Sequence, residues 1–293
     1  MKALIIAEHA AAAAELVAGA RTMADEVVAI SFGGAYECGA DKVLNITVPE
    51  GLTVDSAVET VNAAFDAENP EVVLVEACRH MKVIAGSLAF HADTAVITDV
   101  TAFEAEGAKS MYFGGIAERV QKAAGNVAIY TIGAGVFDGA EGANGSVAEQ
   151  EWVAPARPVK VVSSQVIEKS GVNLFKADVV VAAGRGFAEE SQLSMANDLC
   201  DKLGAGLACS RPLTEGVNWL PTERYVGVSG LMLAPKAYIA VGISGQMQHM
   251  VGCNRSGAIF AINKDKNAPI FKQCDFGLVG DIKDVLPAIT AAL

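Results

Sequence analysis

AYIAVGISGQMQH, Ala237 to His249, followed closely by AIFAIN, Ala258 to Asn263, is the stretch on which the fold of this chain turns. Each is a short apolar run that stops on small or amide-bearing residues. That pattern is expected where a buried parallel sheet delivers ligand-contacting residues at the carboxyl ends of its strands. A helix beginning near Gly245 would have Ser244 as its N-cap, and its unpaired amides would form an anion site. Gln248 and His249 would then face one bound ring system. A lone histidine there is more often an ordinary helix residue, but this one keeps company with Ser244 and Gln248. Its near-neutral titration suits a hydrogen bond to a carbonyl that gains electron density on reduction.

The same grammar extends in both directions. ADVVVAAGRGF reads as strand and glycine turn, and SQLSMANDLCDKLG as the next helix, with Ser191 the expected N-cap and Gly204 the stop. GLACS is another strand, leaving Ser210 and Arg211 at its carboxyl end. Gly184, Arg185 and Gly186 can bring backbone amides and a guanidinium to a phosphate, although an isolated GRG is more often a tight turn with a surface arginine. Ser210 and Arg211 read equally well as a polar strand end. Asn263 and Asp281 can bond the amide, hydroxyl or ribose edges of a nucleotide, and each alone is more often a turn former or a helix cap.

Towards the amino terminus, KALIIAE, EVVAISF, KVLNITV, EVVLVEA and VAIYTIGAGVF alternate with Ala-rich amphipathic stretches, the pattern of a parallel sheet covered on both faces. Asp138 to Pro158 loses periodicity and gathers Gly, Glu and Pro, which marks a surface connection or boundary. The expected fold is α/β, with two doubly wound parallel-sheet domains at residues 1–160 and 161–293.

Composition narrows the function. The 293 residues are 52% hydrophobic and 19% charged, so the chain is globular, and its net charge of -12 without any Lys/Arg cluster argues against nucleic acid as a partner. No apolar run is long enough to insert in a membrane. Glu8 and His9 follow the first strand at once, so no secretory signal is read, and a cytoplasmic, reducing setting is expected. The six cysteines form no C-x-x-C pair and are assigned no chemistry and no metal. Neither G-x-G-x-x-G, Walker A nor G-x-S-x-G occurs after a strand, which lowers NAD-dehydrogenase, NTPase and hydrolase readings.

AGRG, ACSR, YVGVSG, LAPKAYIAVGISGQMQH, AINKDKNAPIF and DFGLVGDIKDVLP, taken in order, resemble the flavin-binding domain of the electron transfer flavoprotein alpha subunit over residues 178–293. TAVITDVTAFE, KSMYFGG and TIGAGVF extend a weaker likeness into the first half, where Gly133 and Ala134 stand in place of the family's usual Arg-Pro. The resemblance implies a Rossmann-like carboxyl domain binding FAD and an amino domain carrying partner contacts. It also implies a heterodimer with a beta subunit. Electrons would be relayed from a flavin dehydrogenase, such as an acyl-CoA dehydrogenase of fatty acid oxidation, to a quinone oxidoreductase or ferredoxin.

By position, the resemblance places Arg185, Ser210, Arg211, Val226, Gly227, Val228, Ser229, Ser244, Gly245, Gln246, Met247, Gln248, His249, Asn263, Asp281 and Ile282 around the FAD. Arg211 would lie beside the isoalloxazine, Ser229 near N5, His249 near the pyrimidine carbonyl, and Asn263 and Asp281 at the adenosine end. Where the family usually reads VGQTGK this chain reads VGVSGL, so Val228, Ser229 and Leu231 replace glutamine, threonine and lysine, which implies a shifted flavin potential. The loop PLTEGVNWLP also differs from the usual length. Such a protein is an electron carrier rather than a substrate-transforming enzyme. Two other readings fit the strand-end pattern: a nicotinamide- or flavin-dependent oxidoreductase acting directly on a small substrate, and a nucleotide-binding sensor module.

Overall fold

A computed structural model describes residues 1–139, 142–165 and 172–293. The chain divides into two compact units, one formed by Met1–Tyr112 with Ala117–Val166 and the other by Phe113–Ile116 with Ile167–Leu293.

The first unit is built on a nine-stranded sheet. In chain order it comprises β1 (Lys2–Ile6), α1 (Ala10–Arg21), β2 (Glu26–Phe32), β3 (Lys42–Ile46), α2 (Val58–Glu68), β4 (Val72–Glu76), α3 (Arg79–His91), β5 (Val96–Glu104), β6 (Gly107–Tyr112), β7 (Ala117–Gln121), β8 (Ala128–Ile132) and β9 (Ser146–Glu149). The strands lie in the order β7-β6-β5-β8-β4-β1-β2-β3-β9. Alternation along β1 shows why helices cover both faces: Ala3 and Ile5 pack with Leu16 and Val17 of α1, while Leu4 and Ile6 pack with Val61 of α2 and Leu88 of α3. Helix α1 turns Ala13, Leu16, Val17 and Ala20 inward, spaced as one face of a helix requires.

Two features depart from the expected pattern. Strands β6 and β7 pair antiparallel, a hairpin extension of an otherwise parallel sheet. The stretch Asp138–Pro158, expected as a connection, contributes β9, which pairs parallel with β3. Every residue of β9 is exposed, so it carries no burial pattern of its own, and residues 140–141 of the stretch lie outside those described.

The second unit holds β10 (Val179–Ala183), α4 (Leu193–Leu203), β11 (Gly206–Cys209), β12 (Ala237–Val241), the single turn α5 (Met247–Met250), β13 (Ala258–Asn263), β14 (Phe276–Val279) and α6 (Ile282–Ala292). Its five strands are parallel, in the order β11-β10-β12-β13-β14. Val181, Ala183 and Val241 face α4 and α6, packing with Ala196, Leu199 and Leu286. Val180, Ala182, Tyr238 and Ala240 face the other way, where loop residues Leu174, Leu233 and Ile270 join Met250 of α5. One face is therefore covered by long helices and the other largely by loops.

Gly204 ends α4 in the left-handed conformation expected of it, at φ 60°. Ser191, expected to cap that helix, instead lies in a short 3-10 turn, Glu190–Gln192, and Gln192 takes the N-cap position without a side-chain bond. The Gln192 Oε1 atom accepts from the Ala188 N–H at 2.9 Å, which pulls the chain into that extra turn.

Candidate functional site at the ends of the second sheet

The chain passes from β10 to β11 on one side and then crosses to β12 on the other, so the sheet's topological switch point lies between β10 and β12. Open parallel sheets bind ligands in the crevice outside their carboxyl ends at such a point. A cleft of about 800 Å³ occupies this place.

Each strand end supplies part of its wall. Arg185 comes from the turn after β10, Ser210 and Arg211 follow β11, Ser244 follows β12, and Asn263 closes β13. Gln246, Gln248 and His249 come from α5 and the residue before it, and Val226, Val228 and Ser229 from the loop ahead of β12. Gly227, Gly245 and Met247 are not among the lining residues; they form the backbone between neighbours that are. Asp281 and Ile282 border a smaller cavity of about 130 Å³, which shares Gly186, Gly242 and Asn263 with the main cleft.

Ser244 does not cap a helix. The N-cap is Gln246, without a side-chain bond, and α5 spans only Met247–Met250. Gly242 at φ 65° and Gly245 at φ 84° take left-handed conformations that delay the helix. Both are tightly packed: a Cβ on Gly242 would stand 2.7 Å from Gly186 Cα, and one on Gly245 would stand 2.4 Å from Ile270 Cα. A one-turn helix offers no N-terminal anion site of the kind expected.

Several polar groups are already engaged. The Arg211 Nε–H donates to Glu215 Oε2 at 2.6 Å, and the ion pair lies in a five-residue wide helical turn, Pro212–Gly216. Asn263 donates from Nδ2 to the Ile243 carbonyl at 2.9 Å, and its Oδ1 accepts from the Asp265 N–H at 2.9 Å, so the side chain first serves to shape the cleft's own loop. Asp281 caps α6 by accepting from the Lys283 N–H at 2.9 Å, while Ile282 is buried in the core. The Ser229 hydroxyl is hydrogen-bonded to the Tyr225 hydroxyl.

His249 differs from these. It is buried, its Nε2 lies 3.0 Å from the Tyr238 hydroxyl, and its Nδ1 has no hydrogen-bond partner in the protein. Burial pushes its pKa down to about 4, opposed only by the nearby Val226 carbonyl, so the ring is neutral at pH 7. Burial likewise holds the Cys209 and Cys253 thiols up at about 12, and both stay protonated.

Tyr225, Glu215, Gly242, Ile243, Asp265 and Pro269 also line the cleft and were not anticipated. Glu215 stands four residues after Arg211, a spacing that signals a partner on a helical turn. The others carry no signal separable from packing. The polar set suits FAD: two guanidiniums for charge, hydroxyls and amides for polar edges, and a buried ring nitrogen without a protein partner.

Comparison with known proteins supplies the family. The electron transfer flavoprotein domain matches residues 3–157, and the electron transfer flavoprotein FAD-binding domain matches residues 173–254. Protein FixB of Escherichia coli O157:H7 is 39% identical over 293 residues, covering 95% of this chain and 94% of that protein. Protein FixB of Shigella flexneri is similar to the same degree, 39% over 95% and 94%. The chain thus belongs to the electron transfer flavoprotein family, as an alpha-type subunit whose cofactor is FAD.

Proposed function

We propose that this chain holds FAD in the cleft beyond β10–β13 and, in a cytoplasmic heterodimer with a beta subunit, carries electrons from a flavin dehydrogenase to a downstream acceptor. Acyl-CoA dehydrogenase is the proposed type of donor, in fatty acid oxidation, and a quinone oxidoreductase or ferredoxin the proposed acceptor. Among the described residues no helix is long and apolar enough to cross a membrane.

The bound FAD would supply reversible storage of electrons, and the protein would set how easily they enter and leave. In this reading Arg211 places its guanidinium beside the isoalloxazine, where positive charge favours the reduced, anionic form. Glu215 limits that effect, because it already pairs with the same guanidinium. Ser229 offers its hydroxyl near N5, oriented by Tyr225. Gln246, Gln248 and Ser244 supply further polar contacts, Val226 and Val228 apolar ones, and Gly227, Gly245 and Met247 the backbone between them. Arg185 and Ser210 suit the pyrophosphate, while Asn263, Asp281 and Ile282 border the adenosine end.

The observation that carries the reading is the unpartnered Nδ1 of His249 in the wall of a cleft at the switch point. A buried polar atom without a partner costs about 1–3 kcal/mol. A flavin carbonyl would remove that cost. Coexpression with the beta subunit, followed by flavin quantitation and reductive titration, tests the proposal. A yellow complex that takes up electrons is expected, and a colourless, correctly assembled one would refute it.

A further inference from the structure

Behind His249, away from the cleft, lies a polar group that the sequence does not single out. Tyr238, on β12, is completely buried, and its hydroxyl lies 3.0 Å from His249 Nε2. Its other hydrogen-bonding neighbour is the buried Cys253 thiol. Burial raises the Tyr238 phenol well above its ordinary range, so its proton is present and must be donated to one of these two groups.

Two arrangements are open to the pair. In the first, the Tyr238 O–H donates to Nε2, which then carries a lone pair, and the ring's single proton sits on Nδ1. In the second, Nε2–H donates to the phenol oxygen, and the phenol proton must go to sulfur, a weak acceptor. The first joins a phenol donor to an imidazole nitrogen and leaves the thiol to act as a weak donor to the phenol oxygen. It makes the better hydrogen bonds in a site where poor ones are costly.

We propose that Tyr238 is a positioning residue that fixes the tautomer of His249, holding the ring proton on Nδ1 as a donor to the cofactor. The inference rests on the proposed seat of FAD in the cleft and adds the direction of the bond. His249 gives a hydrogen bond as an uncharged ring and does not act as a cation. The device is a short relay from Cys253 through Tyr238 to His249.

The test is nitrogen NMR of the complex with its beta subunit, its histidines labelled with 15N and the His249 signals assigned by their loss in His249→Gln. With and without FAD, Nδ1 is expected to show a protonated-type shift and Nε2 an unprotonated one. In Tyr238→Phe, which keeps the ring volume, the two nitrogens are expected to lose that distinction, and FAD affinity to fall about tenfold, the equivalent of one hydrogen bond. A proton on Nε2 in the unaltered protein would overturn the proposal, as would an unchanged tautomer in Tyr238→Phe. Failure of the wild-type complex to bind FAD would instead refute the location of the cofactor, a separate result read from flavin content alone.

Discussion

In the first unit the polar side chains beyond β1 and β4 are hydrogen-bonded to one another, whereas the corresponding place in the second unit, beyond β10 and β12, forms the cleft. Both are switch points, since each chain leaves its first strand to one side and returns on the other. At and just beyond the ends of β1 and β4 stand Glu8, His9, Glu76, Cys78 and His80. Glu76 accepts from the Glu8 and His9 backbone N–H groups at 2.8 and 3.1 Å and bonds His9 Nδ1 at 2.6 Å. Glu8 bonds His80 Nδ1 at 3.0 Å and accepts from Cys78 Sγ at 3.3 Å. After β10 and β12 the chain instead carries glycines, whose backbones pack against each other, and a histidine with one nitrogen unpartnered. Topology offers the same place twice; the residues at the strand ends decide whether they bond one another or line a cleft.

The sharpest way to break this contrast is to fill the glycine contact. Gly242→Val would impose a β-branched residue at positive φ and drive its Cβ against Gly186. The expected cost is on the order of 2–5 kcal/mol, with loss of flavin, measured by urea unfolding and flavin content. A variant as stable and as yellow as the parent would contradict the packing described.

The next effect is on pH. His249 titrates at about 4 in the fold against about 6.5 in an unfolded chain, so its contribution is fully present above pH 6.5 and is lost as pH falls towards 4. At pH 4 the loss is about 3 kcal/mol, and His249→Gln should flatten that part of the stability profile. In the first unit, Glu76→Gln should destabilise by about 1–3 kcal/mol, because it weakens the acceptor shared by two backbone N–H groups and His9, while leaving flavin content unchanged. Flavin loss in that variant would mean that the two crevices do not play separate roles.

The smallest effect concerns Val228 and Leu231. Restoring polarity with Val228→Gln, in the exposed wall of the cleft, and Leu231→Lys, nearby in the same loop, should raise the flavin midpoint by the equivalent of about 1 kcal/mol or less, since charge and dipole there are strongly screened by solvent. An unchanged midpoint would remove these residues from the account of potential.

The parts of this molecule legible in the sequence are those in which one residue type has one use. Short, β-branched buried runs such as VVLVE, VVVAA and AYIAV read as interior strands, and the polar residues that end them fall at one sheet edge by topology. Conformation at Gly242 and Gly245 was not legible, because left-handed glycines look like any others in a string of letters; hence Ser244 is no cap and α5 starts later than expected. Strand β9 has no burial pattern and forms only because β3 offers an edge. Tyr238 reads as one more apolar strand residue, and its hydroxyl gains meaning only when His249 is brought 3.0 Å away. Asn263 was expected to meet a ligand, yet its amide is first used by the Ile243 carbonyl and Asp265 N–H.

Hydrogen–deuterium exchange on the complex with and without FAD distinguishes a flavin in the second unit's crevice from one in the first's. Protection on binding is expected in the segments that contribute Arg185, Arg211, Ser229 and the α5 turn, all lining the cleft. Protection confined instead to the segments holding Glu8, His9 and Cys78 would contradict a flavin in the second unit.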